Sequence, residues 1–139
     1  MVAAMGKDGV LMVMMENFGA KSARFLADGR IAVGQKYSRE SMEIVEHIGE
    51  IGYVMFHNRR HDGQHLFAVR ACSGVTGADD LDEGVYRNVG TCEIYLVVEF
   101  DGEREVDSVE LDCTLVECSP KTRYEAQFVR IEEMKTLMY

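Results

Sequence analysis

No run of apolar residues in this chain approaches the roughly 18 needed to span a bilayer, so the sequence predicts no transmembrane helix. The start, M-V-A-A-M-G-K-D-G-V-L-M-V-M-M, holds one apolar patch, cut off from Met1 by Gly6, Lys7 and Asp8. That is a poor secretion signal, and a cytoplasmic protein is expected. A single proline, Pro120, leaves no proline-rich linker between domains. Positive charge is scarce: 15 Lys and Arg stand against 24 Asp and Glu, a net charge of −9. Bulk attraction to nucleic acid or to an anionic membrane is therefore excluded as a main function. Also missing are C-x-x-C, G-x-S-x-G, the P-loop and H-E-x-x-H.

What remains is enough for one ordinary domain. The 139 residues can bury a core without disulfides or metals. Apolar residues make up 47%, against 28% charged, which excludes a disordered chain. Cys72, Cys92, Cys113 and Cys118 lack paired spacing. Without a secretion signal they are expected as reduced thiols acting as small hydrophobes.

The hydrophobic period changes along the chain. Residues 9–27 place Leu11, Met14, Met15, Phe18, Ser22, Phe25 and Leu26 at helical spacing. The alternative is a strand V-L-M-V-M-M followed by a short helix. Asp28-Gly29 stops the element, and R-I-A-V-G, 30–34, is a short strand. Ser38 is a plausible N-cap for a helix running to Ile51, with Met42, Val45, Ile48 and Ile51 on one face. From residue 53 the period becomes that of strands. Tyr53–His57 and His65–Cys72 are expected to pair as an antiparallel hairpin around Asp62-Gly63. Residues 73–91 form a long loop, followed by T-C-E-I-Y-L-V-V-E-F, a turn at Asp101-Gly102, and further alternating segments.

The expected fold is therefore α+β, with one domain over 1–139. A helical part (about 1–52) supplies one or two helices. They pack on an antiparallel sheet (about 53–139) that curls toward a β-barrel.

Candidate chemistry concentrates in F-H-N-R-R-H-D-G-Q-H-L-F. His57, His61 and His65 recur at every fourth position. In a hairpin, His57 and His65 would face each other, with His61 at the tip. With Asp62 they could hold Zn²⁺ or a similar ion. Arg59 and Arg60, adjacent in an acidic chain, could grip phosphate bidentately. The plainer alternative for both is a solvated hairpin tip. Asp79, Asp80, Asp82 and Glu83 could meet Ca²⁺ but lack EF-hand spacing. Cys72, at a strand end beside Ser73-Gly74, is a candidate nucleophile.

Three segments carry a resemblance: V-G-T-C-E-I-Y-L-V-V-E-F, V-E-L-D-C-T-L-V-E-C and Y-E-A-Q-F-V-R-I-E-E. Together they are similar to the C-terminal half of a PilZ domain. That resemblance implies a β-barrel and binding of a cyclic dinucleotide or another small anion. Its ligand motifs would fall on Arg59 and Arg60, and on Ser73 and Gly77. Gln64 stands where a second motif arginine would be, and Ala71 where an acid would be. The expected function is a non-enzymatic small-molecule-binding or protein-interaction regulatory module. The expected partners are that ligand and, between copies, a homodimer. The competing expectation is a small metal- or thiol-dependent enzyme built on His57, His61, His65 and Cys72. No cofactor is named by either.

Overall fold

The first apolar run is a strand, not a helix. In the computed structural model, which describes residues 7–57, 64–77, 81–88, 93–106 and 126–131, β1 spans Gly9–Met14 and α1 spans Phe18–Asp28. The expected helix over 9–27 is thereby corrected in favour of the strand-then-helix alternative. Val10, Leu11, Met12 and Val13 are all buried. A strand covered on both faces reads as a continuous apolar run, and such a run satisfies a helical template by accident. Asn17, at φ 57°, makes the sharp turn into α1. Gly29, at φ 84°, ends it, with its N–H donating to the Phe25 and Leu26 carbonyls. Only glycine adopts that conformation without steric cost.

β2 follows at Arg30–Gln35 and α2 at Arg39–Glu46. Ser38 caps α2 as expected. Its hydroxyl accepts from Ser41 N at 3.1 Å, and Ser41 Oγ accepts from Ser38 N at 2.9 Å. The buried face differs from the expected one by a single position: Ser41 and Ile44 are buried, while Met42 and Val45 are exposed. Ser41 can face inward because the capping box satisfies its hydroxyl. The helix also ends earlier than expected, before His47. A single 3₁₀ turn, Ile48–Glu50, leads into β3 at Ile51–His57.

Four more strands complete one sheet: β4 at Gln64–Thr76, β5 at Tyr86–Arg87, β6 at Ile94–Phe100 and β7 at Gln127–Arg130. Their order is β5-β2-β6-β4-β3-β1-β7. The protein is α+β, but the sheet is mixed, not antiparallel: β1 runs parallel to β3, and β2 to β5. Parallel neighbours need a long crossover, which α1, β2 and α2 supply between β1 and β3. The division into a helical first part and a β second part therefore fails, because two strands of the sheet come from the first 35 residues. The sheet is not closed into a barrel; β5 and β7 are its ends among the described residues. No helix among those residues is long and apolar enough to cross a membrane.

β4 is the long element, and its two halves have different partners. Gln64 to Ala68 pair with β3. From Val69 to Thr76 the strand pairs with β6. The register shifts between Val69 and Ala71, and such a bulge bends a strand. Leu11, Val54, Phe56 and Phe67 from one side of the sheet share a core cluster with Ile31, Val33, Leu96 and Val98 from the other. Phe25 of α1 fills the middle. Its ring lies 5.3 Å from Phe56, 5.7 Å from Phe100 and 5.6 Å from Tyr86. Burying such a ring contributes about 1.5–3 kcal/mol, and each aromatic pair adds roughly 0.5–1.5.

β7 is tied down by charge as well as by β1. Arg130 donates to Asp8 at 2.9 Å and to Glu50 at 2.8 Å. His47 Nδ1 lies 2.6 Å from the other Glu50 oxygen. His47 first, then Arg130, hold the Glu50 carboxyl below its ordinary range.

Two glycines near this junction make contrasting predictions. A Cβ on Gly52 would sit 2.5 Å from the Lys7 carbonyl oxygen, whereas one on Gly49 meets nothing within 4 Å. Gly52→Ala should cost about 1–3 kcal/mol by forced backbone displacement, and Gly49→Ala should stay within about 0.5 kcal/mol, as surface changes do. Urea unfolding of both variants checks the contrast; equal costs would contradict the close approach.

Candidate functional site

The expected hairpin is present, but its register separates the histidines. His57 pairs with Gln64, and Phe56 with His65. Directly opposed residues share a face of the sheet, and successive ones alternate. His57 and His65 therefore lie on opposite faces, which corrects the expectation that they would face each other. His57 is buried, on the face that carries Met55 and Leu66. His65 lies on the other face at the edge of the main core, stacked on Phe18 with ring centroids 4.0 Å apart. Its Nδ1 is 2.5 Å from Glu105 Oε1. His61, Arg59, Arg60 and Asp62 lie outside the described residues, as do Asp79 and Asp80. Among the described residues no three His, Cys, Asp or Glu side chains group closely enough to hold a metal ion.

Cys72 does not look like a nucleophile. It pairs with Val98 and packs partly buried against the main core. Burial pushes its thiol up to about 12, so it carries almost no thiolate near neutral pH.

Ser73 is different. It is the next residue on β4, so it points to the outer face, where it is exposed. The expected 73–91 loop begins later than predicted, because β4 continues to Thr76, paired there with Ile94. Gly77, at φ 84°, terminates the strand, and its N–H donates to the Glu93 carbonyl at 3.1 Å.

Ser73 lines an open groove of about 240 Å³ on the outer face of β2, β6 and β4. The register builds its floor. Val97 stands between Ala32 and Ser73, and Glu99 between Arg30 and Ala71. Val75, Leu81 and Val85 add apolar wall. Val85 is buried on Ala32 and Tyr95, with Leu81 and Val75 packed against them. Arg30 donates to Asp82 at 2.9 Å, and its Nε lies 3.5 Å from Asp28. The Asp82 hydrogen bond is the main reason the guanidinium is held further above its ordinary range. The guanidinium is thus already engaged by Asp28 and Asp82, and Glu99, its register partner on β6, adds a second carboxylate to the groove lining beside Asp82. Asp82, first considered for Ca²⁺, instead pairs with this arginine.

Among the described residues, Ser73 and Asp82 are the expected ligand residues that line this groove; a family motif pointed to Ser73 and a run of acidic residues to Asp82. Arg30, Val97 and Glu99 were missed because only strand pairing brings them together. The hairpin mouth at His57 and Gln64 is remote from the groove along the chain. Ser73 is nine residues further along β4, a contour of about 30 Å. No protein-family model, characterised protein or solved structure matches this chain.

At pH 8 a thiol pushed up to about 12 carries roughly a thousandth of the thiolate of an ordinary one. Iodoacetamide on the native protein should leave Cys72 unlabelled over a time that labels it fully in denaturant. Peptide mass spectrometry reads the result; rapid native labelling would restore the thiol-enzyme reading.

Proposed function

We propose that this chain is a non-enzymatic binding module whose small ligand sits in the groove at Ser73. The observation that carries this reading is the groove itself: polar groups of three strands converge beside an apolar wall of Val75, Leu81, Val85 and Val97. Ligand pockets combine apolar walls with a few placed polar groups; this groove has both, and is smaller and more polar than that norm. The volume is about that of eight waters, so the ligand is small. Its charge follows from the lining. Asp82 and Glu99 favour a cation or a strong donor, and Arg30 is already paired with carboxylates. A phosphodiester would meet net repulsion there.

The cyclic-dinucleotide reading therefore attaches to Arg59 and Arg60, not to this groove. Curling of the sheet toward a barrel belongs to the same proposal. Its support is that strands from both sides of the sheet face one core cluster, leaving the groove on the outer face. A regulatory role fits a module that binds without chemistry.

Tyramine, an aromatic amine, is a suitable probe, with amide shifts followed by NMR. Saturable shifts at Ser73, Val97 and Glu99 are expected. Glu99→Gln should weaken binding up to about fivefold, the scale of a surface ion pair. A cyclic dinucleotide titrated in parallel should leave those three amides unmoved. No saturable tyramine shift there, or a cyclic dinucleotide that moves them, would overturn the assignment.

A further inference from the structure

Among the described residues the exposed large hydrophobic side chains all fall between positions 37 and 45. Tyr37 is 54% exposed, Met42 50% and Val45 37%. Their spacing places them together. Tyr37 precedes the Ser38 cap and Met42 is the fourth residue of α2. Those are the two positions that a hydrophobic staple brings side by side. Val45 is three residues beyond Met42, its neighbour on the helix surface. Scattered exposed apolar residues need no explanation, but a contiguous stripe marks an interaction surface.

The flanking charge narrows the occupant. Glu40, Glu43 and Glu46 follow one another along the same helix, with Arg39 as its one basic residue. The whole chain carries −9. A second copy would set these glutamates against each other, and an anionic membrane would be repelled. A helix bearing apolar anchors flanked by Lys or Arg meets both the stripe and the glutamates, and α2's two turns suit a helix-on-helix contact. We propose that the exposed face of α2 docks a basic amphipathic helix of a partner protein. This surface is independent of the Ser73 groove.

The probe is a fluorescein-labelled Leu/Lys amphipathic peptide, with its Leu/Glu counterpart as control, followed by anisotropy on the full chain. The Lys peptide should bind and the Glu peptide should not. Met42→Ser/Val45→Ser should weaken binding at least about tenfold, as loss of a central apolar anchor does, with circular dichroism showing that the fold is retained. Glu43→Gln/Glu46→Gln should weaken it and flatten its salt dependence. Glu16→Gln/Glu103→Gln, equal in charge but elsewhere, should leave it unchanged. If that control pair weakens binding as much, bulk charge is responsible and the proposal fails. It fails equally if no peptide binds. A photocrosslinker in place of Met42 separates the other occupants. Adducts to a second copy, or within the chain to residues 132–139, would overturn the assignment.

Discussion

The shared pairing of β4 is the constraint on which the rest of this fold depends. One strand spends its first half on β3 and its second half on β6. It is the only described link between β5-β2-β6 and β3-β1-β7 in the sheet order. The register shift after Val69 bends it where its partners change. Because of that shared strand, side chains of β1 and β3 can meet those of β2 and β6 in one core, with Phe25 of α1 between them. Separate sheets would each need their own core, and a chain of this length buries too little surface to stabilise two easily.

The same strand sets the functional geometry. Alternation along β4 sends Cys72 inward against Val98 and Ser73 outward into the groove. The thiol's burial and the serine's exposure are thus one fact about the pleat. At the other end, the β3–β4 register turns His57 and His65 to opposite faces. His65 is held by Phe18 and Glu105, and both its partners come from outside the hairpin. A polar groove on the outer sheet face and an acidic, apolar helix face are then two surfaces with different chemistry. One suits a small donor or cation, the other a basic helix.

Local chemistry was legible in the sequence wherever it acts over a few residues. The Asp28-Gly29 stop, the Ser38 cap, the Arg30 strand and the Tyr53–Cys72 hairpin all follow from short-range rules. Five features were hidden for physical reasons. β1 is apolar on both faces, so its period carries no information. The inward face of α2 includes Ser41, whose polarity disguises a buried position made tolerable by its cap. Residues 73–76 read as loop because their strand partner, β6, lies about 20 residues away. The groove needs three strands in register before Arg30, Ser73 and Glu99 become neighbours, and no local pattern announces that. The faces of His57 and His65 depend on the hairpin register, which repeated spacing alone does not fix.

Native-state hydrogen exchange along β4 tests the central claim directly. If one strand unites a single core, β4 amides bonded to β3 and those bonded to β6 should open together, with the free energy of global unfolding. Amides on one side of the Val69–Ala71 bulge exchanging through a separate, lower-energy opening would contradict it. The two sides of the sheet would then be independent units, and the groove would not share the stability of the core.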